Sequence, residues 1–569
     1  MDCQLVPFVV LLLGCYFLDM VHGKWWQNQV IYEIYPQSFY DSNGDGFGDL
    51  TGIKLKVDYL RELGVGAVWI NPFFQSPFKD NGYDISDFRA INPKFGTMRE
   101  FQEMLSTLTG NGIEVILDFV PNHTSDQHYW FKNSVKKIHP FTDYYVWRDP
   151  KSWDDGDPVP PNNWASVFDH GSEGSAWTWN EERQQFYYHS FLPEQPDLNL
   201  RNPRVLQSLK SILLFWLNKG VKGFRLDAVP HLVEDEQFRD EERYSHAYTQ
   251  NLPETYEVIQ DLRAFLDSYG NMMKTDIFMT VEAYSNMNKT MAYYGTENRP
   301  GAHFPFNFLL LTNLRKYTDA NSLNRTISKY LNRLTETQHP NWVTGNHDWS
   351  RLMSRMGDSQ WTALSVIMLA MLLPGTAIIY NGDEINMSSF FGIDRDECPP
   401  EVAYDYRTPF RTPFQWSPDR NAGFTKAAKP WIPINPEYVN VNVESESRRT
   451  RDAFLEKVKD LIQLRKRLAF VKGTTKTFVR AWNVFGFIRE YGKSYYVVEI
   501  NLNDNVSMET KLSAGIPGIQ GATLIDMPFS SVELDDTCTQ NRAECARKMM
   551  RSSTIMPPRS VFVWHFEKN

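Results

Sequence analysis

The sequence has no uninterrupted apolar run of 18 residues, the length a membrane-spanning helix needs. The longest, residues 5–18 (LVPFVVLLLGCYFL), falls short and lies at the amino end. No block of basic residues appears, and 59 Lys+Arg against 69 Asp+Glu give −10, which argues against a nucleic-acid partner. Cysteine is scarce, 5 in 569 residues. There is no internal repeat and no low-complexity tract.

The apolar run is followed by Val-His-Gly at 21–23, the small-residue pattern of a cleavage site. Residues 1–23 therefore read as a signal peptide, without the usual Lys or Arg in front, and the mature chain as secreted and extracellular. Removing Cys3 and Cys15 with the leader leaves Cys398, Cys538 and Cys545. The close pair Cys538/Cys545 is expected to form a disulfide and Cys398 to stay free. Asn-X-Ser/Thr acceptors stand at Asn122, Asn288, Asn324, Asn386 and Asn505. Aromatic residues reach 14%, suiting a large core or a site lined with flat rings.

At this length two or three domains are expected. From about residue 30 to 385, β-branched or aromatic runs alternate with amphipathic helical stretches such as 97–109, 203–219, 321–334 and 358–373. The runs are VIYEIYPQSF (30–39), VGAVWINP (65–72), IEVILDFV (113–120), GFRLDAV (223–229), IFMTVEA (277–283), HFPFNF (303–308), NWVTGNHD (341–348) and TAIIYNGDE (376–384). Eight β-then-α units predict an α/β fold, a (β/α)8 TIM barrel over 24–123 and 195–470. Residues 124–194, rich in Trp, Tyr, Asp, Pro and Gly, read as a subdomain inserted after the third strand. From 471 to 569 the pattern is strands alone, a C-terminal all-β domain.

Polar residues gather at the carboxyl ends of the proposed strands. Asp118, Asn122 and His123 close the third, Arg225 and Asp227 the fourth, Glu282 the fifth, and His347 and Asp348 the seventh. A barrel brings those ends to one face, where active sites are built. A single Asp there is more often a cap or a surface charge; three carboxylates with two histidines are not so easily set aside.

DFVPNH (118–123), GFRLDAV (223–229), VEAY (281–284) and GNHD (345–348), in that order, resemble the four signature regions of glycoside hydrolase family thirteen, the α-amylase family. QPDLN (195–199), GDEINM (382–387), VWINPFFQSP (68–77), RTPFQW (411–416) and DSNGDGFGDL (41–50) resemble further regions of its oligoglucosidase branch, nearest to insect maltases. The resemblance implies a secreted, retaining exo-α-glucosidase acting on maltose, short malto-oligosaccharides and sucrose. Asp227 matches the nucleophile, Glu282 the general acid/base and Asp348 the third carboxylate, which grips sugar hydroxyls. Arg225, His123, His347, Asp80, Tyr83 and Arg411 match substrate-binding positions. Asp118 matches a structural support, and Asn122, inside the barrel mouth, is expected to carry no glycan; glycans are expected at Asn288, Asn324, Asn386 and Asn505. Ala228 matches a position where α-1,4 enzymes tend to have alanine and α-1,6 enzymes valine.

DSNGDGFGD (41–49) has oxygens at alternate positions, as in the first half of a calcium loop, and reads equally as a Gly-Asp turn. The resemblance implies a structural Ca2+ on Asp41, Asn43, Asp45, Asp49 and the carbonyl of Phe47. His128, His170 and His189 read as ordinary loop histidines, and the tryptophans of 147–179 as packing of the insertion. The chain departs from the family pattern in the longer FDHGSEGSAWTW (168–179) and in Trp349, beside the cleft, which leaves the aglycone preference open. Two rival functions differ in kind: an endo-amylase, and a non-catalytic binding ectodomain of the same fold, which would want a membrane helix and eroded carboxylates.

Overall fold

The computed structural model describes residues 23–168, 174–242, 245–449, 453–480, 483–510, 516, 519, 521–532, 541–551 and 554–568. The expected leader apart from Gly23, His170 and Cys538 fall outside these; the expected pairing of Cys538 with Cys545 thus involves a residue that is not described. Cys398 carries a free thiol.

All eight expected barrel strands are present: β1 (Val30–Ile34), β2 (Ala67–Ile70), β3 (Glu114–Phe119), β4 (Gly223–Leu226), β5 (Phe278–Val281), β6 (Phe304–Pro305), β7 (Asn341–Val343) and β8 (Thr376–Tyr380). They pair in parallel in the order β6-β5-β4-β3-β2-β1-β8-β7. Between the ends, Val343 N–H donates to Asn307 O at 3.4 Å, and the Asn341 side chain donates to Pro305 O at 2.8 Å. The barrel is thus nearly closed, its last seam held largely by amide side chains. The strands are buried along almost their whole length, as parallel strands packed on both faces must be, which is why they read as continuous apolar runs.

The outer helices start where capping residues dictate. Thr97 and Glu100 form a capping box for α1 (Met98–Gly110), Asn202 caps α2 (Pro203–Leu217), and α3 spans Pro253–Met273. Asp319 caps α4 (Ala320–Leu331) and Ser359 caps α5 (Gln360–Leu372). In α5 every residue from Thr362 to Leu372 is buried, because α6 (Phe454–Arg465) covers its outer side.

Between β3 and β4 the insertion forms a three-stranded antiparallel sheet of Trp147–Arg148, Gln185–Tyr188 and Trp177–Asn180. Trp164, Trp177, Phe186 and Tyr188 give it a small core of its own, the packing role expected of its tryptophans. An isolated bridge between His123 and Asp197 ties both its ends to the barrel mouth. His128 caps the helix Tyr129–Val135, and His189 bonds the carbonyl of Phe191, both structural roles.

The C-terminal antiparallel sheet comprises β9 (Thr474–Arg480), β10 (Val484–Tyr491), β11 (Ser494–Asn501), β12 (Ala522–Ser530) and β13 (Val561–Lys568), in the order β9-β10-β11-β13-β12. Two details correct the expectation of strands alone. The run TFVRAWNVFGFI is split into β9 and β10, with Asn483 in the left-handed region at φ 65° before β10. A helix, Arg542–Arg551, also packs on β12. Its residues, RAECARKMMR, are good helix formers but carry too few apolar side chains for a periodic signal.

Candidate active site

The register of β3 and β4 sets Arg225 directly opposite Asp118. The Arg225 guanidinium, with no exposed surface, contacts three carboxylates: Asp118 at 2.9 Å and Asp227 at 2.5 Å through Nη1, and Glu282 at 2.5 Å through Nη2. Asp227 and Glu282 are thus gathered on the two terminal nitrogens of one guanidinium. Asp118 stands behind the pair, accepting also from Trp69 Nε1 (3.1 Å) and Tyr83 OH (3.0 Å). That fits a supporting role.

Burial pushes Asp118, Asp227 and Glu282 upward, and the charge on Arg225 opposes this in each. One guanidinium cannot offset three carboxylates, so the cluster retains a proton. Arg225 donates a directed hydrogen bond to Asp227, whereas Glu282 Oε1 and Arg225 Nη2 lie close without one.

Asp348 lies after β7. Arg411 Nη2 donates to its Oδ1 at 2.8 Å, Arg407 Nη1 lies 3.7 Å away, and His347 Nε2 lies 3.3 Å from its Oδ2. Burial works against its charge, but His347, Arg411 and Arg407 outweigh that and hold the carboxyl below the usual range.

Through Arg407, Asp348 adjoins a second polar network. Asp80 accepts from Arg407 Nη2 (2.5 Å) and from Gln195 Nε2 (3.0 Å), and Gln195 lies 3.0 Å from His123 Nε2. Arg407 is clamped in turn by Asp405. Tyr83 OH is 2.9 Å from His347 Nε2. The structure thus brings together Asp227, Glu282, Asp348, Asp80, Tyr83, His123, Arg225, His347 and Arg411. Sequence reasoning missed Glu33, Asn71, Gln195, Asp405 and Arg407. Glu33 is the only charge inside the apolar run VIYEI, and RTPFRTP repeats Arg-Thr-Pro at 407 and 411; either pattern could have flagged them.

The 41–49 loop lies apart from this cluster. Asp41 accepts from the backbone of Asn43, Gly44 and Gly46, and Asp49 accepts from Ser42 and Gly52. Gly46 has φ 94°, and a Cβ there would meet the carbonyl of Lys429 at 2.6 Å, so only glycine suits the turn. The oxygen donors have the chemistry calcium prefers. The loop is nevertheless shaped by its own hydrogen bonds, and among the described residues no three His, Cys, Asp or Glu side chains gather as a metal group.

An eight-stranded parallel barrel with two carboxyl groups on one guanidinium at the carboxyl ends of its strands, and a third beside them, defines a glycoside hydrolase. The family description Alpha amylase, catalytic domain, matches residues 33–473. Maltase 1 of Drosophila virilis is 41% identical over 545 residues, covering 91% of this chain and 83% of its own length. Salivary alpha-glucosidase of Aedes aegypti is 40% identical over 498 residues, covering 83% and 85%. Among solved structures, the alpha-glucosyl transfer enzyme XgtA superposes with a TM-score of 0.81 at 31% identity, over 96% of this chain and 100% of its own. The chain belongs to the α-amylase family.

Proposed function

We propose that the protein is a secreted, retaining exo-α-glucosidase that releases terminal α-1,4-linked glucose from maltose, short malto-oligosaccharides and sucrose. The observation that carries this reading is the pair of carboxyl groups held on the two terminal nitrogens of the buried Arg225, Asp227 through a hydrogen bond and Glu282 in close contact. Asp227 attacks the anomeric carbon as Glu282 protonates the leaving oxygen; Glu282 then takes a proton from the water that cleaves the glucosyl ester. Asp348, kept ionised, grips sugar hydroxyls and favours the positive charge that develops on the ring. The QPDLN and DNGYD segments, which resemble the branch whose pocket closes behind one glucose, favour an exo reading over an endo-amylase, and Asp80, Arg407, Gln195 and His123 form one network there. The names of relatives, a maltase and a salivary alpha-glucosidase, support the substrate class and secretion. The intact carboxylates disfavour a silent binding ectodomain.

Purified protein assayed on maltose, sucrose, isomaltose, trehalose and starch tests the reading. Glucose released from maltose far faster than from starch is expected; no hydrolysis of any α-glucoside overturns it. The reading includes a calcium ion on Asp41, Asn43, Asp45, Asp49 and the Phe47 carbonyl, which would stabilise only the folded state. Excess chelator is expected to lower Tm while leaving the kinetic constants of the surviving protein unchanged. An unmoved Tm, with no calcium in the purified protein, reduces the loop to a turn. Glycans belong to the same reading. Asn288 and Asn505 are exposed, Asn324 and Asn386 half-buried, and Asn122 is buried at the mouth.

A further inference from the structure

Glu33 has no exposed surface, sits on β1, and points its Oε1 at His347 Nδ1, 2.6 Å away. It faces Arg225, Asp118 and Asp348. The protons around His347 can be counted. Tyr83 has one hydroxyl proton, and it is donated to Asp118 Oδ2. The same phenol oxygen lies 2.9 Å from His347 Nε2 and accepts from Asn71 Nδ2 at 3.1 Å. A 2.9 Å contact between two lone pairs is repulsive, so the proton there belongs to Nε2. Nε2–H also points toward the anionic Asp348 Oδ2. Asn71 Nδ2 donates to Glu33 Oε1 at 3.2 Å and also lies 3.2 Å from His347 Nδ1. Yet the 2.6 Å contact with Glu33 also needs a proton. One proton therefore lies between Nδ1 and Glu33. Its other oxygen, Oε2, is buried with no partner, a poor setting for a charge and an acceptable one for the carbonyl of a neutral acid. Burial pushes Glu33 up in the same sense.

We propose that Glu33 is a positioning residue: it places a proton between its Oε1 and His347 Nδ1, and so fixes His347 with its N–H at Nε2, beside Asp348, as a donor to a sugar hydroxyl. This rests on the α-glucosidase reading of the site. Without Glu33, the Nδ1 edge keeps only the longer Asn71 contact, and the ring is free to turn its Nε2 edge away from Asp348. No chemistry passes through Glu33; it acts only through His347.

The test compares Glu33→Leu, Glu33→Gln, His347→Ala and the double variant Glu33→Leu/His347→Ala, by kcat/KM on maltose and on p-nitrophenyl α-glucoside, with Tm measured for each. Glu33→Leu leaves Nδ1 with only the Asn71 amide, 3.2 Å away, and is expected to lower kcat/KM by roughly 10- to 100-fold. Glu33→Gln, whose amide N–H can donate to Nδ1, recovers most of that loss. Since Glu33 works through His347, the double variant is no worse than His347→Ala alone, whereas a merely structural role makes the losses multiply. If Glu33→Leu fails to fold, Glu33→Gln decides: activity as low as that of His347→Ala at wild-type Tm overturns the proposal, as do multiplying losses. An inactive wild-type protein would instead contradict the α-glucosidase reading.

Discussion

Ala228 follows the nucleophile position with φ 50°, in the left-handed region that residues with a Cβ occupy at a cost. Its backbone N–H lies 3.4 Å from Glu282 Oε2, so this strained turn also aims that carboxyl. Valine here would add two methyl groups to the wall facing the leaving sugar, and a β-branched residue is poorly tolerated at positive φ. Ala228→Val is therefore expected to shift the maltose-to-isomaltose ratio of kcat/KM toward isomaltose by roughly 10- to 200-fold. It should also lower Tm, because the strain adds about 1–2 kcal/mol. An unchanged ratio would make Ala228 a plain core residue. The neighbouring acid has its own signature. Glu282→Gln should lose far more rate on maltose than on aryl glucosides, whose leaving groups need little protonation. Equal losses on both would remove Glu282 from the acid role.

At the scale of elements, the buried arginines of the carboxyl-terminal region deserve a physical account. Arg465 bonds the carbonyls of Met371 and Gly375, and Arg489 bonds those of Leu372 and Phe470. The last carbonyls of α5 have no partner within the helix, and the two cations supply one while meeting the negative end of its dipole. Because Arg489 lies on β10, this also fastens the C-terminal sheet to the barrel. Arg489→Met is expected to cost about 2–3 kcal/mol in urea unfolding, with kcat on maltose unchanged. A cost below about 0.5 kcal/mol would mean the carbonyls find other partners. Such ties explain what the sequence could and could not disclose. The eight strands were legible because burial on both faces writes them as apolar runs, and the carboxylates proposed as catalytic because they sit at strand ends. The Asp80–Arg407 pair joins residues 327 positions apart, and the seam between β6 and β7 depends on amide side chains. Neither leaves a local pattern. The helix Arg542–Arg551 escaped notice for lack of an apolar stripe.

For the whole molecule, burial raises several carboxyl groups that take no part in the proposed chemistry: Asp84 to about 6, Glu234 and Glu384 to about 7, and Asp197 to about 8. In the unfolded chain these acids ionise near pH 4; in the folded protein they keep their protons longer. Their contribution to stability is therefore complete below the unfolded pKa and is lost as pH rises through the folded values. Asp348 and Asp405, held low by arginines, lose theirs only in strong acid. Tm is thus expected to be highest near pH 4, to fall between about pH 4 and 8, and to level off above that. Asp197→Asn should flatten part of that fall. A Tm that climbs steadily over this range would show that these groups are ionised in the folded state.

The central claim is that Asp227 becomes covalently bound to glucose while Glu282 handles the proton. In Glu282→Gln, an aryl glucoside with a good leaving group still allows the first step, but the ester is cleaved slowly because no base activates water. Mass spectrometry of the acid-quenched, digested enzyme is then expected to find a glucosyl adduct on the peptide containing Asp227, absent when Asp227→Asn is added. An adduct on another residue, or steady aryl glucoside turnover by Asp227→Asn at more than about a tenth of the wild-type rate, would contradict the account.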